Sequence, residues 1–288
     1  MTENIQNNSA NIINYRKYIW LFTFYAVLAT FAFIWLVPLL WAISMSFTPN
    51  EILAREVGGL IPSQATFDNY DSLLRVSDVP RWFINSVIVS GGTTIGVLVL
   101  SSLAGYALSR INFKGKRLVT VFILAGLMVP EQAVFIPLHT MFSEWGIHNT
   151  HIGLMMPRMA LPLGTFIMMQ FFKAIPKDIE EAAGLDGANR FIIYLRIMLP
   201  LTIPALTTLG IFTFVLSWND FLWPLVSATR KEMFTVTIGL ASLQGNFAQS
   251  EGLGSLMTSA VVASAPMLLL FLFFQRYVVQ AVKTGTRF

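Results

Sequence analysis

The chain alternates between long apolar stretches and short polar ones. Six apolar stretches reach the length of about 20 residues that an α-helix needs to cross a bilayer. They cover residues 19–47, 83–108, 118–138, 151–172, 201–226 and 256–279. The pattern predicts an all-α polytopic membrane protein with six transmembrane helices. The first stretch is too long for a signal-peptide core and lacks a small-residue cleavage site, so we expect it to remain as the first helix.

The composition supports a membrane protein. Of the 288 residues, 55% are hydrophobic and only 12% are charged, whereas charged residues make up about 25% of a soluble domain. The absence of cysteine excludes disulfides, thiol chemistry and a thiolate metal site. Lys and Arg recur between the apolar stretches rather than in one patch, which favours membrane topology over nucleic-acid binding.

The basic residues also predict an orientation. Most of the 19 Lys and Arg residues lie near the two termini and in residues 109–117 and 173–200. The positive-inside rule places these parts in the cytoplasm. We therefore expect cytoplasmic tails at residues 1–17 and 283–288 around a membrane domain of residues 18–282. The long external segment before the second span is either a contact for an outer partner or a solvated connector.

Residues 173–200, between the fourth and fifth spans, carry several charges. Acidic residues at 178–181 favour a helix start, and Asp186-Gly187 predicts a turn. A second short helix is expected from about Ala188 and would place four apolar residues on one face. Those residues are Phe191, Ile192, Leu195 and Met198. Pro200 is expected in the first turn of the next membrane helix. The segment is thus predicted to be a cytoplasmic helix–turn–helix.

The order of residues in this segment resembles the EAA loop of ABC-importer permeases. Glu181-Ala182-Ala183 is followed by Gly187 and then by an Ile-x-Leu-Pro ending at residues 197–200. The resemblance implies that the loop docks into an ATP-hydrolysing partner. The docking residues it implies are Glu181, Ala182, Ala183, Asp186, Gly187, Ile197 and Pro200. An ordinary amphipathic connector between two spans is the alternative.

Other stretches resemble the carbohydrate branch of the same family, of the maltose-permease kind. They are Asn69-Tyr70, residues 82–86, residues 105–110 and Trp218-Asn219-Asp220-Phe221. The resemblance implies a sugar importer in the bacterial cytoplasmic (inner) membrane. Its partners would be a second permease, two ATP-binding subunits and an extracytoplasmic solute-binding protein.

The chain contains no Walker A motif, because residues 114–117 lack both the upstream Gly and the following Ser or Thr. We expect no cofactor on this chain and no enzymatic activity of its own. ATP and Mg would belong to the partner ATPase subunits.

Three ionisable residues lie within predicted spans, where charge is costly and usually faces a bundle interior or an aqueous cavity. They are Glu131, Arg158 and Asp220. Span counting places Glu131 and Arg158 at the same depth, which predicts an ion pair. Either this pair lines the substrate pathway or it only joins two helices. Trp218 and Asn219, beside Asp220, are expected to line the pathway or its outer gate, although tryptophans are also common at membrane surfaces.

The second span contains two pairs of small residues, each four positions apart, which predict a close helix contact within the chain or with a partner permease. They are Gly92, Gly96, Ser101 and Gly105. No metal site is predicted, since the three His residues are irregularly spaced. A permease for another solute, such as glycerol phosphate or an amino acid, is the main alternative function. A secondary transporter is a second one, and no HExxH or GxSxG motif supports an intramembrane enzyme.

Overall fold

The computed structural model describes residues 2–55, 59–76, 78–246 and 252–285, and every regular element within them is helical. The α-helices are α1 Thr2–Ser46, α2 Asn50–Leu53, α3 Asp68–Val76, α4 Val79–Arg110, α5 Lys116–Ala125, α6 Phe135–Glu144, α7 His151–Met159, α8 Pro162–Ala174, α9 Asp178–Leu185, α10 Arg190–Ile193, α11 Leu199–Leu201, α12 Ile203–Trp218, α13 Leu222–Ser227, α14 Val236–Asn246 and α15 Gly252–Gly285. Short 3₁₀ segments cover Gly126–Met128, Glu131–Val134 and Lys231–Met233, and a π-helix covers Tyr194–Met198.

The chain divides into two compact units, of which the first contains residues 1–75 and 246–261. Two asparagines hold this unit together. The Asn50 amide donates to Asn69 Oδ1 at 3.1 Å and to Ser255 Oγ at 3.2 Å. The Asn69 amide donates to the carbonyl oxygens of Ser46 and Thr48 at 3.0 and 2.9 Å. Asn69 therefore joins the end of α1 to the start of α3. It is one of the residues that carry the family resemblance.

The second unit contains residues 76–245 and 262–288, and α4 packs there against α7, α8 and α12. Its small residues allow the close approach. A Cβ at Gly105 would lie 2.8 Å from the Met169 backbone nitrogen, nearer than packed atoms approach. Gly92 and Gly96 face the side chains of Met155 and Met159. The small-residue pattern thus makes its contact within the chain, with the methionines of the fourth predicted span.

Only three of the six predicted spans are continuous helices in the described residues: Lys17–Ser46, Val79–Arg110 and Gly252–Gln275. The other three predicted spans are each interrupted by a bend. The third span bends by 101° between Met128 and Glu131, and the fourth bends by 51° between α7 and α8. If each bent pair is one span, the total is six.

Proline explains two of these bends, because a proline disfavours the helical conformation for the residue before it. Val129, before Pro130, has ψ 115°, and Leu161, before Pro162, has ψ 105°. A third bend of 75° separates Arg190–Leu201 from α12.

The boundaries of the fifth and sixth spans also differ from the prediction. The first turn of α12 contains Pro204, whereas the predicted Pro200 lies in the preceding α11. The fifth span is interrupted after Trp218 and continues as α13. Helix α15 extends to Gly285, so the expected C-terminal tail is helical at its start, and its residues 286–288 lie outside the described residues.

Candidate functional site

The segment of residues 173–200, called the connecting segment below, forms two helices joined by a tight turn. Helix α9 ends at Leu185, and Gly187 follows with φ +80° and no neighbouring atom within 4 Å of a Cβ there. Only glycine adopts this backbone conformation without strain. Asn189 then caps α10, because its Oδ1 accepts a hydrogen bond from the Ile192 backbone N–H at 2.9 Å.

The connecting segment exposes several apolar side chains. Leu185 is 91% exposed, Phe191 65% and Leu195 49%. Four implied docking residues are exposed beside them, namely Glu181, Ala182, Asp186 and Gly187, and so is Pro200. These residues form a mixed apolar and acidic surface.

Other residues of the segment face inward. Ala183 is buried and Ile197 is half-buried, and both contact the core formed by α4, α8 and α12. Met198 is also fully buried, so its predicted position on the exposed apolar face is wrong. The π-helix over Tyr194–Met198 explains the difference, because its wider turn rotates Met198 away from Leu195.

Arg110, the last residue of α4, connects three helices at this end of the molecule. Its side chain is 95% buried, and Nη2 donates to the carbonyl oxygens of Phe172 and Ile175 at the end of α8. Its Nε lies 3.8 Å from Glu180 Oε2 on α9. A guanidinium is well suited to this role, since it compensates the negative end of a helix and still reaches a carboxylate.

Glu131, Arg158 and Asp220 form one charge cluster. Arg158 Nη2 lies 2.7 Å from Glu131 Oε1, and Arg158 Nε lies 3.0 Å from Asp220 Oδ2. The predicted Glu131–Arg158 ion pair is therefore confirmed. The Asp220 side chain is 7% exposed and that of Glu131 59%, so the two carboxylates hold Arg158 from very different environments.

Each member of the charge cluster lies at an interruption of a helix. Glu131 begins the 3₁₀ turn directly after the 101° bend, and Arg158 lies in the last turn of α7 before the 51° bend. Asp220 lies between α12 and α13. One guanidinium thus connects three points at which the predicted spans break.

Two cavities meet at this cluster. The larger, of about 400 Å³, is lined at one end by Thr93 and Thr213, and the smaller, of about 100 Å³, by Gln132 and Trp223. Both cavities share the same four lining residues, which are Glu131, Val134, Pro157 and Arg158. Thr93 Oγ1 is buried without a hydrogen-bond partner among the described residues.

Trp218 and Asn219 lie next to Asp220 in the chain but line neither cavity. Trp218 is buried, and its Nε1 donates to the Ala263 carbonyl at 3.1 Å. The Asn219 amide donates to the Val215 carbonyl of its own helix at 2.9 Å. Of the five residues predicted for the pathway, the structure brings together only the three charged ones.

Residues 98–284 match the family described as binding-protein-dependent transport system inner membrane component. The chain belongs to this family. It is therefore a membrane-embedded permease component of a transport system.

Curated relatives of the permease cover nearly its whole length. The arabinooligosaccharides transport system permease protein of Halalkalibacterium halodurans is 35% identical, over 89% of this chain and 92% of the relative. The trehalose transport system permease protein of Mycobacterium tuberculosis is 35% identical, over 91% and 96% respectively. A crystal structure of a bacterial ABC transporter involved in the import of the acidic polysaccharide alginate has a chain with the same fold. Its TM-score is 0.80 at 21% identity, and the match covers 90% of the permease and 96% of that chain.

Sequence reasoning missed three features of the permease. The contact of Asp220 with Arg158 depends on the interruption after Trp218, which hydropathy does not show. Arg110 was visible only as the end of a span and as a topology signal, although its position directly after an apolar helix was an indication of a capping role. Thr93 carries no charge, and nothing in the sequence indicated that it lines the larger cavity.

Proposed function

We propose that the permease forms half of the translocation pathway of an ATP-driven importer for a sugar or oligosaccharide. A second permease subunit completes the pathway, and an extracytoplasmic binding protein delivers the solute. Two ATP-binding subunits hold ATP and Mg and drive the cycle. The carbohydrate substrates named for the relatives from Halalkalibacterium halodurans and Mycobacterium tuberculosis support a sugar.

The observation that carries the proposal is the exposed apolar surface of the connecting segment. Leu185 and Phe191 are largely exposed on a segment with several charges, which does not suit the hydrocarbon layer. Apolar side chains left exposed outside a membrane mark a protein interface. Glu181 and Asp186 beside them offer charge for its rim. This surface is the proposed docking site for an ATP-binding subunit, with the termini on the same, cytoplasmic side.

The docking segment is held stiffly, as a coupling element requires. Ala183 and Ile197 pack into the core, and Arg110 joins α9 to the ends of α4 and α8. A displacement of the docking surface by the ATPase would therefore move whole helices rather than a flexible loop.

The proposed pathway passes the charge cluster. The adjoining cavity of about 400 Å³ is within the range of about 300–1,000 Å³ found for small-molecule sites. The residues proposed to line the pathway or its outer gate are Glu131, Arg158, Asp220, Trp218 and Asn219.

A single exposed substitution tests the docking assignment. Leu185→Ser removes an apolar side chain from the surface without disturbing the core. We expect co-purification of the ATP-binding subunit and ATP-dependent uptake in vesicles to fall about tenfold, because a central apolar anchor is worth more than 1 kcal/mol at such interfaces. Ile61→Ser, at another residue that is 83% exposed, is the matched control and should leave co-purification unchanged.

The uptake assay should include arabino-, malto- and trehalose-type sugars together with glycerol phosphate. Uptake of glycerol phosphate alone would contradict the sugar assignment but leave the importer assignment intact. Normal co-purification and uptake in Leu185→Ser would contradict the docking site.

A further inference from the structure

We propose that the Glu131–Arg158 ion pair is a gate between the two cavities, which opens when Glu131 releases Arg158 while Asp220 retains it. The inference rests on the proposed function only in assuming that solute passes this point and that the smaller cavity faces outward. The proposed pathway treats Glu131, Arg158 and Asp220 alike. The gate gives each of them a separate role.

The position of the pair is the first support. Both cavities are lined by Glu131 and Arg158 together with Val134 and Pro157, so these four residues form the wall between them. The larger cavity has the volume of a small-molecule site, whereas the smaller one, at about 100 Å³, lies below that range. In this conformation a sugar ring fits on one side of the wall and not on the other.

The unequal burial of the two carboxylates is the second support. Asp220 lies 3.0 Å from Arg158 with 7% of its side chain exposed, and separation would leave a buried carboxylate without its cation. Glu131 lies 2.7 Å from Arg158 but is 59% exposed, so water or solute hydroxyls readily replace Arg158 as its partner. Glu131 is therefore the releasable partner and Asp220 the permanent one.

The backbone at Glu131 is the third support. The residue begins the 3₁₀ turn immediately after the 101° bend at Pro130. Rotation about the extended Val129–Pro130 backbone moves Glu131 with the following half-span and leaves Arg158 in place. Changes at a few residues between two rigid elements are a common way to open and close a site.

The absence of cysteine from the sequence makes the gate measurable by thiol labelling. Ala160→Cys places a thiol at an exposed position that lines the larger cavity, and Gln132→Cys places one in the smaller cavity. A membrane-impermeant maleimide is added to the outside of intact cells that carry the full transporter. The labelling rate at Ala160→Cys then reports passage through the wall, and the rate at Gln132→Cys reports access to the outer cavity.

We expect Glu131→Gln to raise the labelling rate at Ala160→Cys about fivefold, because the neutral amide loses a charge-assisted contact with Arg158 at an exposed position. Glu131→Asp, which keeps the charge but shortens the side chain, should give an intermediate rate. Labelling at Gln132→Cys should change less than about twofold in either background, because no gate lies before it.

The Asp220→Asn variant distinguishes a gating role of the charge cluster from a purely structural role. It leaves Arg158 to Glu131 alone, so labelling at Ala160→Cys should stay at the slow rate while uptake falls. Equal acceleration by Glu131→Gln and Asp220→Asn would overturn the proposal, as would no acceleration by Glu131→Gln. Failure to label Gln132→Cys from outside would overturn the assumed orientation and the gate with it. None of the labelling rates needs ATP or a known solute, so they remain decisive if the uptake assay fails.

Discussion

At the scale of single residues, Arg158 is the side chain on which the charge cluster depends most. One guanidinium serves two carboxylates, and Asp220 depends on it because that carboxylate is almost fully buried. An isolated buried charge costs far more than an exposed one. The three residues should therefore differ strongly in what their replacement does, although all belong to one cluster.

We predict that Arg158→Ala destabilises the assembled permease by about 3–5 kcal/mol, because it leaves the Asp220 carboxylate buried without a cation. Glu131→Gln should cost below about 1 kcal/mol, since Glu131 is more than half exposed. Thermal unfolding of the detergent-purified complex measures both. Adding Asp220→Asn to Arg158→Ala should recover part of the lost stability, and strictly additive losses would contradict the assignment of Asp220 as the dependent partner.

The structure also changes the expected result of a charge swap. From the Glu131–Arg158 pair alone, exchanging the two residues would restore the attraction. Asp220 makes the exchange unfavourable, because Arg158→Glu would place a second carboxylate beside it. We predict that Glu131→Arg with Arg158→Glu stays as inactive in uptake as Arg158→Glu alone. Recovery to more than half of wild-type uptake would show that Asp220 does not hold position 158.

At the scale of helices, Arg110 connects three separate helices, α4, α8 and α9. It bonds the last carbonyls of α8 from the end of α4 and approaches Glu180 on α9. Its planar fork allows contacts in several directions at once, which a lysine ammonium on a flexible stem does not reproduce. The connecting segment is thus tied to the membrane helices at its first turn as well as through the core contacts of Ala183 and Ile197.

We predict that Arg110→Lys lowers uptake about tenfold while the ATP-binding subunit still co-purifies, because the exposed docking surface is unchanged and only its attachment is weakened. ATP hydrolysis should then exceed solute transport, and the ratio of hydrolysis to uptake is the measurement. Arg117→Ala, at an exposed cation of the same predicted face, is the control and should leave that ratio unchanged. Loss of co-purification in Arg110→Lys would instead assign Arg110 to the docking surface itself.

Hydropathy located the helices but not their bends. A straight and a bent apolar stretch have the same composition, and only Pro130, Pro162 and Pro204 mark the three bends in the sequence. The interruption at Asp220 has no proline in residues 219–221 and is not visible in hydropathy. Similarly, the apolar spacing of the connecting segment placed Met198 on the wrong face, because the π-helix before Leu199 shifts the register.

At the scale of the whole molecule, the charge pattern and the proposed docking surface require the same orientation. The Lys and Arg residues concentrate around the termini, residues 109–117 and the connecting segment. Placing that segment in the cytoplasm puts it where an ATP-binding subunit is found. It also places the turn before α7 outside.

The orientation is open to a direct measurement in the cysteine-free chain. Ser143→Cys, near the end of α6, and Lys114→Cys, in the basic turn before α5, are both at exposed positions. The positive-inside rule places residue 114 in the cytoplasm and residue 143 outside. We predict that an impermeant maleimide labels Ser143→Cys in intact cells and labels Lys114→Cys only after the membrane is opened. Because one span separates the two positions, labelling of both from the outside would mean that the bent third span re-enters the membrane rather than crossing it. The reverse pattern would invert the orientation and move the docking surface away from any source of ATP.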